Sequence, residues 1–131
     1  MKRYLAFIGS LLIAASVLCA CSSSAKVNMA DTEITAVFKY NSADITASLS
    51  EGDCEAVRRI FNGKAMFSDS PSCGFDENVA LISNGVTYCI ACDTCGLVYV
   101  AEDDKYFSLS DEENETLRSL LGEYGFTFPC L

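Results

Sequence analysis

The sequence predicts an α+β domain: an antiparallel sheet of about five to seven strands with one or two helices packed on one face, cross-linked by disulfides. Short runs rich in β-branched and aromatic residues alternate with turn residues, which indicates strands. Two amphipathic segments each follow a serine suited to a helix N-cap. The 8 cysteines among 131 residues indicate cross-links.

The predicted strands form three hairpins. Their apolar runs are 34–40 with 45–49, 79–82 with 86–90, and 97–101 with 105–109. Asn84-Gly85, between the second pair of runs, is the strongest short hairpin signal, because a tight two-residue turn needs positive φ at both positions. Residues 64–76 are expected to be the longest irregular stretch of the domain.

Each predicted helix has a start signal and a buried stripe. The first is expected to begin after Ser50 and to end at 62–63, and the second to begin after Ser110 and to end at Gly125. Glu113, three residues after Ser110, completes a capping box. The buried stripes are Val57, Ile60 and Phe61 in the first helix, and Leu117, Leu120, Leu121 and Tyr124 in the second.

The N-terminal residues have the pattern of a secretory signal. Lys2 and Arg3 precede an apolar run over 4–18. This run is shorter than the roughly 18 to 20 residues of a membrane-spanning helix, so it is expected to be removed.

The run ends in Leu18-Cys19-Ala20-Cys21, which resembles the lipobox of bacterial lipoproteins. Cys19 stands where Ala, Ser or Thr is usual, but it is similarly small. The resemblance implies that the chain is cut after Ala20 and that Cys21 becomes the lipid-bearing N-terminus. The alternative is an ordinary secretory signal, cut near Ala20, that leaves Cys21 as a plain thiol.

These features predict three parts: a signal peptide over 1–20, a flexible tether over 21–31 and one α+β domain over 32–131. The resemblance implies a lipid-anchored protein on the extracytoplasmic face of the cell membrane, or on the outer membrane of a diderm organism. The mature sequence also resembles small exported lipoproteins of Gram-positive bacteria, and this resemblance assigns no activity.

The charge of the mature chain narrows the class of partner. Removing Lys2 and Arg3 leaves 7 of the 9 basic residues against all 18 acidic ones, a net charge of −11. Such a surface repels nucleic acid and favours a basic partner or cations. The sequence has no histidine, which removes the commonest general base and the usual partner of a serine or cysteine nucleophile.

The cysteines of the mature domain are expected to be structural. An even number in an exported domain indicates disulfides, with a connectivity that spacing alone leaves open. The candidates are Cys54, Cys73, Cys89, Cys92, Cys95 and Cys130. The apolar tail over 126–131 is expected to pack on the sheet and to be held there by Cys130.

Two alternatives concern the cluster Cys89, Cys92 and Cys95. In a continuous strand Cys92 would point away from the other two, and each could pair only with a distant cysteine. In a curled segment the three sulfurs could hold zinc or copper together with Cys73 or Cys130. A redox-active pair of Cys92 and Cys95 is the other alternative, although Asp93 between them would raise a thiolate pKa.

The expected function is that of a non-enzymatic binding module, such as an inhibitor, an immunity factor or an adaptor, that contacts a protein or an envelope component. The alternative is an envelope metal-binding or thiol-disulfide protein that uses the cysteine cluster. The aromatic residues of the later strands are expected chiefly in the sheet core, with an exposed binding face as the alternative. These residues are Tyr88, Tyr99, Tyr106 and Phe107.

Overall fold

The computed structural model describes residues 25–93 and 95–130, and it confirms the predicted α+β fold, with six antiparallel strands and two helices. The strands are β1 Ile34–Phe38, β2 Ile45–Ser48, β3 Val79–Ser83, β4 Val86–Ile90, β5 Leu97–Val100 and β6 Lys105–Ser108. The helices are α1 Glu51–Phe61, which follows β2, and α2 Asp111–Glu123, which follows β6.

All six strands belong to one sheet, in the order β2-β1-β3-β4-β5-β6, and every neighbouring pair is antiparallel. The three predicted hairpins are present as β1 with β2, β3 with β4, and β5 with β6. Asn84 and Gly85 have φ values of 50° and 75°, the positive values that a tight hairpin turn requires. The sheet therefore places β2 and β6 at its two edges.

Both helices begin where the capping residues predict. The Ser50 hydroxyl accepts the Asp53 N–H at 3.2 Å, and Ser110 and Glu113 form the complete capping box. The hydroxyl of Tyr124, the C-cap residue of α2, accepts the N–H of Ser50 at 2.9 Å and donates to Asp53 at 2.5 Å. The end of α2 is thus joined to the start of α1.

The core lies between the two helices and one face of the sheet, which we call the inner face. Its largest fully buried side chains include Phe38, Leu81, Val98 and Phe107 from the strands, and Val57, Phe61, Leu117 and Leu121 from the helices. The ring of Phe61 packs edge-on against Phe107, with centroids 5.0 Å apart. Because α1 and α2 share this core, neither of them lies on the opposite face of the sheet.

The segment before β1 is packed rather than free, and the predicted tether over 21–31 is wrong for residues 25–31. Val27 and Met29 are each only 4% exposed, and the Val27 N–H donates to the Lys64 carbonyl at 2.9 Å. The Met29 N–H donates to Asn62 Oδ1 at 2.7 Å. Burial of two apolar side chains draws this segment onto the domain. The predicted signal peptide over 1–20 and the lipidation site Cys21 lie outside the described residues.

The C-terminal tail packs as predicted. Phe126 is buried against Phe38, with ring centroids 4.8 Å apart. Cys130 forms a disulfide with Cys92, and its N–H donates to the Cys92 carbonyl at 3.1 Å. Within 25–93 and 95–130, neither helix has the length and apolar character needed to cross a membrane.

Candidate functional site

The face of the sheet that points away from the helices, which we call the outer face, carries the candidate site. Side chains alternate between the two faces of a strand, so the neighbours of Val98, Val100 and Phe107 point outward. The pairing registers align one outward residue from each strand across the whole sheet. In sheet order these residues are Thr46, Val37, Ala80, Cys89, Tyr99 and Tyr106.

An aromatic cluster lies at the β5–β6 end of the outer face, and it consists of Phe67, Phe75, Tyr99 and Tyr106. The rings of Tyr99 and Tyr106 are cross-strand neighbours with centroids 4.9 Å apart. Phe75 contacts both of them, at 5.7 and 5.5 Å, and Phe67 stacks on Tyr106 at 5.9 Å. All four side chains are half-buried, so their rings contact one another and still reach solvent.

Two separate attachments bring Phe67 and Phe75 to this face from the long connection between α1 and β3. Phe67 and Tyr106 exchange backbone hydrogen bonds of 2.8 and 2.9 Å, which adds a short bridge to the edge of β6. Phe75 follows Cys73, whose disulfide to Cys95 ties the connection to the β4–β5 loop. The aromatic cluster is therefore held by both backbone and covalent contacts.

Carboxylates surround the aromatic cluster. The Tyr99 hydroxyl donates to Asp104 at 3.0 Å, and this bond holds the pKa of Tyr99 above its usual range. The buried Cys89 thiol lies next to Tyr99 in the register. Its pKa is raised to about 11 by burial and then by the negative charges of Glu77, Glu102 and Asp76. Asp76 accepts the Asn78 N–H at 2.8 Å and the Tyr40 hydroxyl at 3.4 Å.

Glu102 is held in its charged form. Burial of the carboxyl opposes ionisation, but hydrogen bonds from Thr87 outweigh that effect and lower the pKa of Glu102. The backbone N–H of Thr87 donates to Glu102 Oε2 at 2.8 Å. The carboxylate therefore stays anionic at neutral pH and has a fixed position beside β4.

The acidic residues around the aromatic cluster are not neutralised by basic residues of the described chain. Its ion pairs join Lys39 to Asp44, Arg58 to Asp31 and Lys64 to Glu113. None of them includes a carboxylate that borders the aromatic cluster. We call these carboxylates the acidic rim: Asp76 and Glu77, which directly follow Phe75 in the chain, with Glu102 beside Thr87 and Asp104 beside Tyr99.

Of the aromatic residues singled out in the sequence, half lie in the core and half on the surface. Tyr88 and Phe107 are buried on the inner face, as the core prediction requires. Tyr99 and Tyr106 are half-buried on the outer face, and for them the alternative of a binding face stays a prediction. Sequence reasoning missed Phe67 and Phe75, because a single aromatic residue in an irregular stretch has no periodicity to indicate where its ring will lie.

Four of the six cysteine candidates form two disulfides, and the prediction is wrong for Cys54 and Cys89. Cys73 pairs with Cys95 and Cys92 pairs with Cys130, whereas Cys54 and Cys89 are free and buried. Cys54 lies on α1 and belongs to the core of the inner face, and Cys89 points to the outer face. The sheet therefore separates the two thiols and prevents a third bridge.

The alternative metal site is not assembled in this disulfide-bonded form. The sulfurs of Cys89, Cys92 and Cys95 do not converge, because Cys92 and Cys95 are bonded to different partners and Cys89 is buried in the sheet. In the described ranges, Cys73, Asp93 and Cys95 bring three donor atoms within 4.8 Å of one another. Two of those donors are the sulfurs of one disulfide, which leaves no pair of thiolates for zinc or copper.

A depression of about 570 Å³ lies between α2 and the C-terminal tail. Arg118 and Asn114 line it together with Phe126 and Phe128. The Arg118 guanidinium lies 5.5 Å from the centre of the Phe128 ring, so it stacks on the tail. Asp111 and Glu115 also line this depression, and their charges oppose the binding of an anion beside Arg118.

Comparisons with known proteins identify no relative: neither a protein-family model, nor a curated protein, nor a solved structure matches the chain.

Proposed function

We propose that this protein is a non-enzymatic binding module, anchored to the extracytoplasmic side of a membrane through a lipid on Cys21, that docks an envelope protein on its outer face. The observation that carries the proposal is the aromatic cluster with its acidic rim, on the face of the sheet opposite to α1 and α2. Tyrosine is among the residues most enriched where proteins meet.

The way in which the aromatic cluster is held supports a binding role. Its rings are fixed by cross-strand pairing, by the bridge between Phe67 and Tyr106 and by the disulfide of Cys73 with Cys95. A surface that is already ordered loses little conformational entropy when a partner binds. The same disulfides restrict the sulfur chemistry on which the metal and thiol alternatives depend, so the binding module is the better-supported function.

Photo-crosslinking in intact cells tests the proposal with the full-length protein. A photoreactive phenylalanine analogue replaces Tyr106 on the outer face, and in a matched control it replaces Thr116, an exposed residue of α2. We expect a discrete crosslinked species from position 106 that is absent from position 116 and is lost when Tyr99→Ala is added. The same species from both positions, or none from position 106, would overturn the proposed docking face.

A further inference from the structure

We infer that the partner presents lysine or arginine side chains from a polypeptide segment, and that these lie on the rings of the aromatic cluster with their charges toward the acidic rim. The inference rests on the proposed function, since it names the chemistry of the partner for the same face. Its starting point is the combination of half-buried rings with carboxylates that form no ion pair with the described residues.

The rings and the carboxylates would each contact a different part of a lysine or arginine side chain of the partner. Lysine and arginine carry an apolar stem that packs on hydrocarbon and a cationic head that remains polar. A cation within about 6 Å of an aromatic centroid is attracted by the negative face of the ring. Tyr99 and Tyr106 offer such faces, and Asp104 is held beside them by its hydrogen bond from Tyr99.

The charge balance near the outer face favours a basic partner over an acidic or neutral one. Asp76 and Glu77 directly follow Phe75 in the chain, and Glu102 accepts the N–H of Thr87 beside β4. The backbone N–H of Lys39 donates to the carbonyl of Asn78, the residue after Glu77, but the Lys39 ammonium lies 3.9 Å from Asp44 at the β1–β2 turn. Lys105, next to Tyr106 in sequence, points to the other face by strand alternation.

A polypeptide segment fits better than a small cation. The aromatic rings form a continuous surface from Phe75 across Tyr99 and Tyr106 to Phe67, with successive centroids 4.9 to 5.9 Å apart. In an extended peptide, every second side chain points the same way, about 6.7 Å from the last. Alternate basic residues of one segment can therefore reach neighbouring rings, whereas aromatic carbon offers a divalent metal ion no ligand.

The test measures binding of fluorescent peptides to the full-length protein in non-ionic detergent. The probes are a short peptide of alternating lysine and glycine, and matched peptides with glutamate or glutamine in place of lysine. We expect the lysine peptide alone to bind, with an affinity that falls as salt is added. Equal binding of the glutamine peptide would overturn the inference.

Variants of the two tyrosines test whether the lysine peptide binds to the aromatic cluster. We expect Tyr99→Ala with Tyr106→Ala to weaken binding of the lysine peptide roughly tenfold, and Tyr99→Phe with Tyr106→Phe to retain most of it because the rings remain. Circular dichroism spectra of the alanine and phenylalanine variants are compared to show whether the alanine variant is still folded. Binding that survives removal of both rings in a folded protein would overturn the inference.

Two variants that lose the same charge test whether binding depends on the acidic rim or only on the net charge of the protein. Asp76→Asn with Glu77→Gln changes the acidic rim, and Glu112→Gln with Glu115→Gln makes the same charge change on α2. We expect only the first pair to weaken binding severalfold. Equal losses from both pairs, or equally tight binding of spermine, would mean that charge alone is recognised. A crosslinked partner that contacts Tyr106 without basic residues would overturn this inference and leave the proposed function intact.

Discussion

The ammonium of Lys64, just beyond the end of α1, donates to both carboxylate oxygens of Glu113 in the first turn of α2, at 2.7 and 2.5 Å. Glu113 also accepts the backbone N–H of Ser110 at 2.8 Å, so one carboxylate completes the helix cap and joins the two helices. Both side chains are less than one-third exposed, at 27% for Lys64 and 31% for Glu113.

The first prediction concerns acid stability. The hydrogen bond from Lys64, followed by that from the Ser110 backbone, lowers the pKa of Glu113. The Glu113 carboxyl therefore binds a proton more readily in the unfolded chain than in the folded protein. The lowered pKa thus stabilises the folded protein at neutral pH, and this stabilisation is lost as the pH falls from about 4.3 through the folded-state pKa. We expect Glu113→Gln to lower the free energy of unfolding by about 1 to 2 kcal/mol at neutral pH. We also expect the melting temperature of this variant to fall less steeply at acid pH than that of the wild type. Glu112→Gln, at an exposed position, is the control. An equal change in the pH dependence of this variant would contradict the role of Glu113 in acid stability.

The second prediction compares the two disulfides. Their loops span 22 residues for Cys73–Cys95 and 38 for Cys92–Cys130, so each contributes about 3 to 4 kcal/mol in the chain-entropy model. We expect excess reductant to lower the melting temperature markedly. We expect replacement of Cys73 and Cys95 by serine to weaken peptide binding as well, because it releases the segment that carries Phe75. A melting temperature unchanged by reductant would contradict the structural role.

The third prediction concerns the free thiols. Burial protects Cys54 and Cys89, and the raised pKa of about 11 keeps the Cys89 thiol neutral at physiological pH. We expect iodoacetamide to label neither residue in the native mature protein. Denaturant without reductant should then expose two thiols, and reduction should add the four from the two disulfides. Intact mass and peptide mapping report these numbers, and a denatured protein with no free thiol would mean that a third bridge exists.

The fourth prediction compares two glycines near the end of α2. A Cβ on Gly125 would come within 2.7 Å of Ile45 Cδ1, and its φ of 97° is strained for any other residue. Gly122 lies inside α2, and a Cβ there meets nothing within 4 Å. We expect Gly125→Ala to destabilise by about 1 to 2 kcal/mol and Gly122→Ala to stabilise by up to about 1 kcal/mol. Chemical denaturation measures both, and equal effects would contradict the assigned turn at Gly125.

The fifth prediction tests the anchor. We expect bacterial cells to incorporate labelled palmitate into the wild-type protein and into Cys19→Ala, because the proposed cleavage after Ala20 removes Cys19. We expect Cys21→Ala to lose the label and to leave the membrane fraction. Label that remains in Cys21→Ala would show that the lipid is attached elsewhere.

The elements of this fold could be predicted from the sequence because their signals are local. Asn84-Gly85 specifies a tight turn through the conformations that these two residues accept, and Ser110 with Glu113 specifies a helix start through hydrogen bonds three residues apart. Alternation within β5 also requires Tyr99 to face away from Val98 and Val100. Each of these signals acts over only a few residues.

The candidate site depends on contacts between distant parts of the chain, which local signals do not encode. Phe67 and Phe75 reach Tyr106 only because the connection from α1 to β3 is bridged to β6 and bonded to the β4–β5 loop. In the same way, Val27 is buried only because α1 ends beside it, where its N–H can reach Lys64.

What the sequence by itself determined is the set of strands and helices, their hairpin connections and the acidic character of the chain. What only the tertiary structure decided is which face of the sheet the helices cover, and with it the roles of the cysteines and tyrosines. Cys54 and Cys89 are of one residue type but lie on opposite faces, so they cannot pair. The physical reason is that strand alternation determines which side chains share a face of the sheet. Which of the two faces is buried depends on how the helices pack against the sheet.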